Sequence, residues 1–270
     1  VKWLEMAGMR SIAIPHLASD ELAEELFNQI DGLLLPGGGG QDVPPSMRRI
    51  WELAERTNNN ENGGFFPIWG TCLGFEYLVT LASENTTILE DGYVSENVSL
   101  PLIRTSKNSN LYDDGMIRKI IKKNITMNNH MYGLSSERFK ENSKLSSLFD
   151  ITSTNIDGNG KEFVSTIETK YPNRRPYYAV QYHPEKNTFE YGGTLEDDSL
   201  FHPFWAINHS PDALFLSYYL ANFFGNLTRT SVKFRRTRRQ NVINTNNNIK
   251  SSSTLLLKPV YTYPRKVGIA

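Results

Sequence analysis

The sequence predicts an α/β fold of three layers, a mostly parallel central sheet covered by helices on both faces. Short apolar runs alternate with helix-period segments over the first eighty residues, the rhythm of consecutive β-α units. Two of those runs, residues 32–35 and 66–69, are of the buried type. Each meets a glycine-rich turn, after Leu35 and after Trp69, and function in such sheets gathers at strand carboxyl ends.

In order, residues 1–8 read as the last two turns of a helix closed by a Gly8 C-cap. They show no capped start, initiator Met or signal peptide, so a first strand and helix start are expected upstream. Residues 11–15 are a short apolar run. Asp20 is expected to cap a helix reaching Ile30, with Leu22, Leu26 and Ile30 at helical spacing and Glu21, Glu24 and Glu25 near its positive end. The strand at residues 32–35 stops at Pro36-Gly37-Gly38-Gly39-Gly40. Pro45 opens a helix to about Arg56, and the Asn-rich residues 57–64 read as a surface loop. After the strand at 66–69 comes a helix over 73–82. Further strands are expected at 98–103, 162–168 and 177–182. Ser210-Pro211-Asp212 starts a last helix, running to about Phe224. The basic, Asn/Ser-rich residues 228–253 read as a flexible insertion, and 255–263 as a returning edge element. Without internal repeats, residues 1–270 form one domain in this reading.

Composition narrows the function classes. Lys and Arg balance Asp and Glu at 29 each, so no global field recruits nucleic acid or an anionic membrane. No apolar run approaches the ~20 residues that span a bilayer. The basic cluster Arg235-Arg236-Thr237-Arg238-Arg239 lacks interleaved aromatics and reads as a solvated loop. A single cysteine rules out an intrachain disulfide. A lone Cys is ordinarily a small buried hydrophobe, so its neighbours must say otherwise.

They do. Gly70-Thr71-Cys72-Leu73-Gly74 follows a strand and opens a helix, and this G-x-C-x-G spacing suits a nucleophile on a strained turn with glycines relieving the crowding. The helix beginning at Leu73 directs its positive end at the sulfur and favours thiolate. The Leu73 N–H is then free to hold an oxyanion. A Cys nucleophile needs a base and a group that orients it. Among five histidines, His183 follows an apolar run, and Glu185 lies two residues on across Pro184, on the same face of extended backbone. The Pro36–Gly40 turn, through the N–H groups of Gly38 or Gly39, is the second oxyanion candidate; its plain alternative is a mobile βα turn.

Four stretches then occur in a telling order: Leu35-Pro36-Gly37-Gly38, Trp69-Gly70-Thr71-Cys72-Leu73-Gly74-Phe75-Glu76, Thr154-Asn155-Ile156-Asp157-Gly158 and Val180-Gln181-Tyr182-His183-Pro184-Glu185-Lys186. Together with Asn208-His209-Ser210-Pro211 and Pro259-Val260-Tyr261-Thr262, they resemble the γ-glutamyl hydrolases of the class I glutamine amidotransferase-like superfamily, whose fold is flavodoxin-like. The resemblance covers nearly the whole chain. It implies a cysteine hydrolase that trims γ-linked glutamates from folates, antifolates or other γ-glutamyl conjugates, without cofactor or metal, commonly as a homodimer, in the lysosome or vacuole or outside the cell. On matching positions, Cys72 is the nucleophile, His183 the base and Glu185 its partner. Glu76 is similar to the family's substrate-facing acid, with a first-turn Glu complementing the helix dipole as the plain alternative. His130 resembles its second, substrate-side histidine. Sequons at Asn85, Asn97, Asn124, Asn208 and Asn226 permit a glycoprotein, Asn208 being the poorest acceptor because it lies near the site elements. Two alternatives remain: a glutaminase feeding ammonia to a synthase partner, whose relatives carry Gln where this chain has Glu76, and a non-catalytic member of the same fold.

Overall fold

A computed structural model describes residues 1–40, 42–60, 64–106, 108–191 and 206–245, of which 232–245 are described by backbone alone. In chain order the elements are α1 (Lys2–Met6), α2 (Asp20–Phe27), β1 (Leu33–Leu35), α3 (Pro45–Asn58), β2 (Ile68–Thr71), α4 (Leu73–Ser83), β3 (Ser95–Leu100), β4 (Ile103–Arg104), α5 (Ile117–Ile120), β5 (Thr126–His130), α6 (Ser136–Glu141), α7 (Ser143–Leu148), β6 (Phe149–Ile156), β7 (Glu162–Thr169), β8 (Tyr177–Val180), α8 (Lys186–Phe189) and α9 (Pro211–Thr245).

The six-stranded sheet runs β1-β2-β8-β7-β6-β4. Strands β1, β2 and β8 are parallel, and the pairs β8–β7, β7–β6 and β6–β4 are antiparallel. Four of the six strands therefore point one way. Strict alternation builds a core on each face. Ile68, Tyr177 and Ala179 face a cluster with α2, α3, α4, α6 and α7, centred on Phe75, Leu78 and Ile50. Trp69, Tyr178 and Val180 face the opposite cluster, with Trp3 of α1, Ile117 of α5 and Leu216, Leu220 and Phe224 of α9. Neighbouring strand residues thus serve opposite layers, and that is the three-layer arrangement.

Several elements differ from expectation for identifiable reasons. The cap of α2 is Ser19, whose hydroxyl accepts from Leu22 N at 3.3 Å, one residue before Asp20. Helix α3 extends two residues beyond Arg56. Its Asn58 is buried, not part of a surface loop: Nδ2 donates to the Phe66 carbonyl at 2.9 Å and Oδ1 accepts from Phe66 N at 2.7 Å. One amide side chain thereby completes the backbone pairing at the entry to β2. Residues 11–15 form no strand. The run expected at 98–103 divides at Pro101, which cannot donate to a ladder. Its first part pairs with β5 in a separate two-stranded sheet, and its second joins the main sheet beside β6. Helix α9 runs on to Thr245 instead of ending near Phe224, so part of the expected insertion is helical. Residues 255–263 lie outside the described residues. No described helix is long and apolar enough to cross a membrane.

Candidate active site

Three parallel strands end at one place. β1 delivers the Pro36–Gly40 turn, β2 delivers Cys72, and β8 leads through Gln181 and Tyr182 to His183. Cys72 is buried with φ 51° and ψ −110°, a left-handed conformation costly for any residue with a Cβ. Its neighbours impose it. The Cys72 N–H donates to Val180 O at 2.9 Å, extending the β2–β8 ladder, while its carbonyl already accepts from Glu76 N at 3.0 Å as the first bond of α4. One residue therefore belongs to both strand and helix, and the backbone must turn sharply on it.

The flanking glycines make that turn physically possible. A Cβ on Gly74 would be driven into the Leu35 carbonyl, and one on Gly70 would come within 2.6 Å of the Gly74 carbonyl oxygen. Backbone cannot give way as a flexible side chain does. Gly74→Ala is therefore expected to destabilise the fold by about 3 kcal/mol, read as a fall in the urea-denaturation midpoint; an unchanged midpoint would contradict this close approach.

His183 is held from both ends. Its N–H donates to Met127 O of β5 at 2.7 Å, and its Nδ1–H donates to Glu185 Oε1 at 2.6 Å. Tyr182 beside it is fixed by a 2.8 Å bond between its hydroxyl and that of Tyr112. With Nδ1 committed to Glu185, Nε2 is the nitrogen left for Cys72. Burial disfavours the imidazolium, but the Glu185 carboxylate and the hydrogen bond and charge of Cys72 outweigh it and raise His183 to about 10. Glu185 responds in kind: burial would raise it, yet the His183 charge and hydrogen bond hold it below its ordinary value. Gly37 closes the ring's other side, since a Cβ there would collide with His183 Cε1 and approach Cys72 Cβ to 3.4 Å.

The remaining expected residues fall around this centre. Leu73 stands at the first helical position, where its N–H has no carbonyl one turn earlier to bond. Gly38 lies against it, a Cβ there meeting Leu73 Cδ2 at 3.6 Å, and Gly39 faces open space. Glu76, one turn after Cys72, is buried and accepts from Gln181 Nε2 at 3.0 Å. Burial raises its carboxyl to about 7, against the opposing Gln181 hydrogen bond and His183 charge. His130 ends β5 and is buried, edge-on to Phe163 at 4.8 Å, with Nδ1 bonded to the Tyr132 carbonyl at 2.7 Å. Burial first, with the nearby His183 charge, lowers it to about 4 despite the Tyr132 bond, so it is neutral at pH 7.

Two residues near the centre escaped sequence reasoning. Asn129 puts its carbonyl oxygen 4.0 Å from Cys72 Sγ and its side-chain oxygen on Asn97 N. Gln181 partners Glu76, and a signal for it existed: it directly follows the apolar strand β8, two residues before His183. A cavity of about 990 Å³ lies on the outer side of β1, lined by Ile12, Ile14, Leu33 and Met47 among others, and includes neither Cys72 nor His183. Its size does not make it the reacting centre: the Ser46 hydroxyl that lines it donates to the His16 backbone carbonyl at 2.9 Å and so is not paired there with the imidazole. No group of three His, Cys, Asp or Glu side chains suited to a metal occurs among the described residues.

Residues 3–202 match the family model described as glutamine amidotransferase class-I. The chain is similar to gamma-glutamyl hydrolase B of Dictyostelium discoideum at 36% identity, covering 86% of this chain and 65% of that protein. It is 34% identical to gamma-glutamyl hydrolase of Mus musculus, over 97% of this chain and 77% of that one, and 34% identical to the Homo sapiens enzyme of that name, over 85% and 69%. It thus spans slightly under two thirds of the Dictyostelium protein and about three quarters of the mouse protein.

Proposed function

The chain belongs to the gamma-glutamyl hydrolases of the class-I glutamine amidotransferase family, and from that premise we propose that it hydrolyses γ-glutamyl amide bonds through a thioester on Cys72. The observation that carries the mechanism is His183 set between the Cys72 sulfur and the Glu185 carboxylate, on a residue pair locked by backbone bonds.

In the first half-reaction the Cys72 thiolate adds to the γ-carbonyl carbon, and the electron pair moves onto the carbonyl oxygen. Backbone N–H groups of Leu73 and of Gly38 or Gly39 stabilise that oxyanion. Collapse expels the amine, which takes the proton held on His183 Nε2 as its C–N bond breaks. Neutral His183 then accepts a proton from water, the resulting hydroxide attacks the thioester, and the γ-carboxylic acid leaves with Cys72 again a thiolate and His183 an imidazolium. No step requires a metal or cofactor. Glu76 faces the α-ammonium of the γ-glutamyl group, and His130, neutral and buried, lines the substrate side.

The substrate class in this reading is a folate poly-γ-glutamate or related γ-glutamyl conjugate, acted on by a homodimer in the lysosome or vacuole or outside the cell. Exposed sequon residues Asn85 and Asn124 suit such a compartment, whereas Asn208 spends its Nδ2 on the Asn124 carbonyl at 2.7 Å and is a poor glycan acceptor. The deciding experiment follows products by mass spectrometry. Glutamate release from a γ-linked folate polyglutamate is expected, with ammonia release from free glutamine far slower. The reverse preference would make the chain a glutaminase.

A further inference from the structure

We propose that Tyr112 is a positioning residue for His183, acting through Tyr182 as a strut between the sheet and the segment that carries the base. The inference rests on the thioester reading above for the task it gives His183. That segment needs an anchor, because strand β8 ends at Val180. Beyond it the backbone is held at Gln181, whose N–H donates to Ser165 O at 2.9 Å, and at His183, whose N–H donates to Met127 O at 2.7 Å. Between them, Tyr182 is anchored by its side chain. Its hydroxyl bonds that of Tyr112 at 2.8 Å, and the Tyr112 hydroxyl also bonds Thr166 Oγ1 at 2.8 Å. Ser153 Oγ donates to the same Thr166 oxygen at 2.7 Å. All four residues are fully buried, so no water competes for these bonds and each is strong for its kind.

The strut is itself fixed at its base. Thr166 and Glu168 lie two apart on β7 and share a face. While Thr166 takes the Tyr112 hydroxyl, the buried Glu168 carboxyl takes the loop behind it. Asn110 N donates to Glu168 Oε2 at 2.7 Å, Leu111 N to the same oxygen at 3.3 Å, and the Ser109 hydroxyl to Oε1. Ser109 Oγ in turn accepts from Tyr112 N at 2.9 Å. Strand β7 thus sets Tyr112 at both ends, its backbone through Glu168 and its hydroxyl through Thr166. That strand pairs with β8, Thr166 opposite Val180, so the frame is the sheet that also delivers Cys72. Phenylalanine at either position would fill the same space without burying a polar group that then needs a partner. Packing therefore does not call for two facing tyrosines; what their bond adds is a fixed position for Tyr182. The next Cα along is that of His183, and a misplacement of about 1 Å at a reacting centre can cost ~10²-fold in rate.

The test uses Tyr112→Phe, Tyr182→Phe and the double variant. Each is read on γ-glutamyl p-nitroanilide and by the rate of Cys72 alkylation with iodoacetamide at pH 7, which reports the sulfur beside the His183 charge without any substrate. Each single variant is expected to lower kcat about tenfold with KM within about twofold of wild type. The double variant is expected to lose no more than the worse single one, because all three remove the same bond. Alkylation is expected to slow about threefold or more in each, since a displaced imidazolium supports the thiolate less. A merely structural bond would lower the melting temperature and leave kcat and the alkylation rate unchanged, and that result would overturn the proposal. Losses in kcat that multiply in the double variant would overturn it too. A wild-type protein inert toward the anilide would defeat the hydrolase reading, and the alkylation rates would then decide the strut by themselves. Slowed in the three variants, they support it; unchanged, they overturn it.

Discussion

Cys72→Ala is expected to lower the rate of γ-glutamyl bond cleavage by ~10⁴-fold or more while leaving the fold intact. The size follows from what the sulfur does. It forms the bond that divides one hard amide hydrolysis into two easier steps, and no second thiol exists to replace it, Cys72 being the only cysteine in the chain. Alanine keeps the Cβ, so the elbow's backbone bonds to Val180 and from Glu76 persist at the same φ. The variant should therefore melt near the wild-type temperature. Glutamate release under single-turnover conditions gives the rate, and intact mass after brief thiol alkylation gives a second readout. Wild type should gain one label and Cys72→Ala none. Residual cleavage within tenfold of wild type would sink the thioester mechanism.

Glu185→Gln should cost ~10²- to 10⁴-fold in kcat/KM, by analogy of role with carboxylates that orient a catalytic imidazole. It should also move the pH profile. Burial is the largest influence on His183 and lowers it; the Glu185 charge is the first of the opposing influences that carry it to about 10. Without that charge the imidazolium is lost at lower pH, so the alkaline limb of kcat/KM shifts downward. Stability follows with a definite sign. His183 is raised from 6.5, so its contribution is whole below about pH 6.5 and is lost as pH climbs toward 10. Glu185 is lowered from 4.5, so its contribution is present above about pH 4.5 and is lost as pH falls through its depressed value. Their joint stabilisation is greatest between those limits, and melting temperature against pH should flatten on both sides in Glu185→Gln. A variant that keeps both the alkaline limb and the curvature would show that Glu185 neither charges nor orients the ring.

The parts of this protein that can be read from amino-acid order are those whose chemistry is written over a few consecutive residues. The strand–elbow–helix around Cys72 was legible because the G-x-C-x-G spacing is local and Gly70 must clear the Gly74 carbonyl within it; that Gly74 must in turn clear the Leu35 carbonyl is a contact the fold supplies. The His183–Glu185 hydrogen bond was anticipated from their separation of two, but the chain makes it through a turn, Glu185 standing at φ −71° and ψ −27° before α8, and not through the extended backbone that was expected. The other features depend on the fold, since they join segments far apart in the chain. Strand β5 is polar, with the sequence Thr-Met-Asn-Asn-His, and shows no apolar period; it forms because β3 and the backbone of His183 supply its partners. With it come the burial of His130 and the Asn129 carbonyl near the sulfur. Gln181 meets Glu76 across 105 residues, and Asn58 is buried because Phe66 offers it both a donor and an acceptor. A local pattern records what neighbouring residues do to one another. It carries no record of which distant polar atoms will be shut away from water together, and there the fold alone assigns the partners.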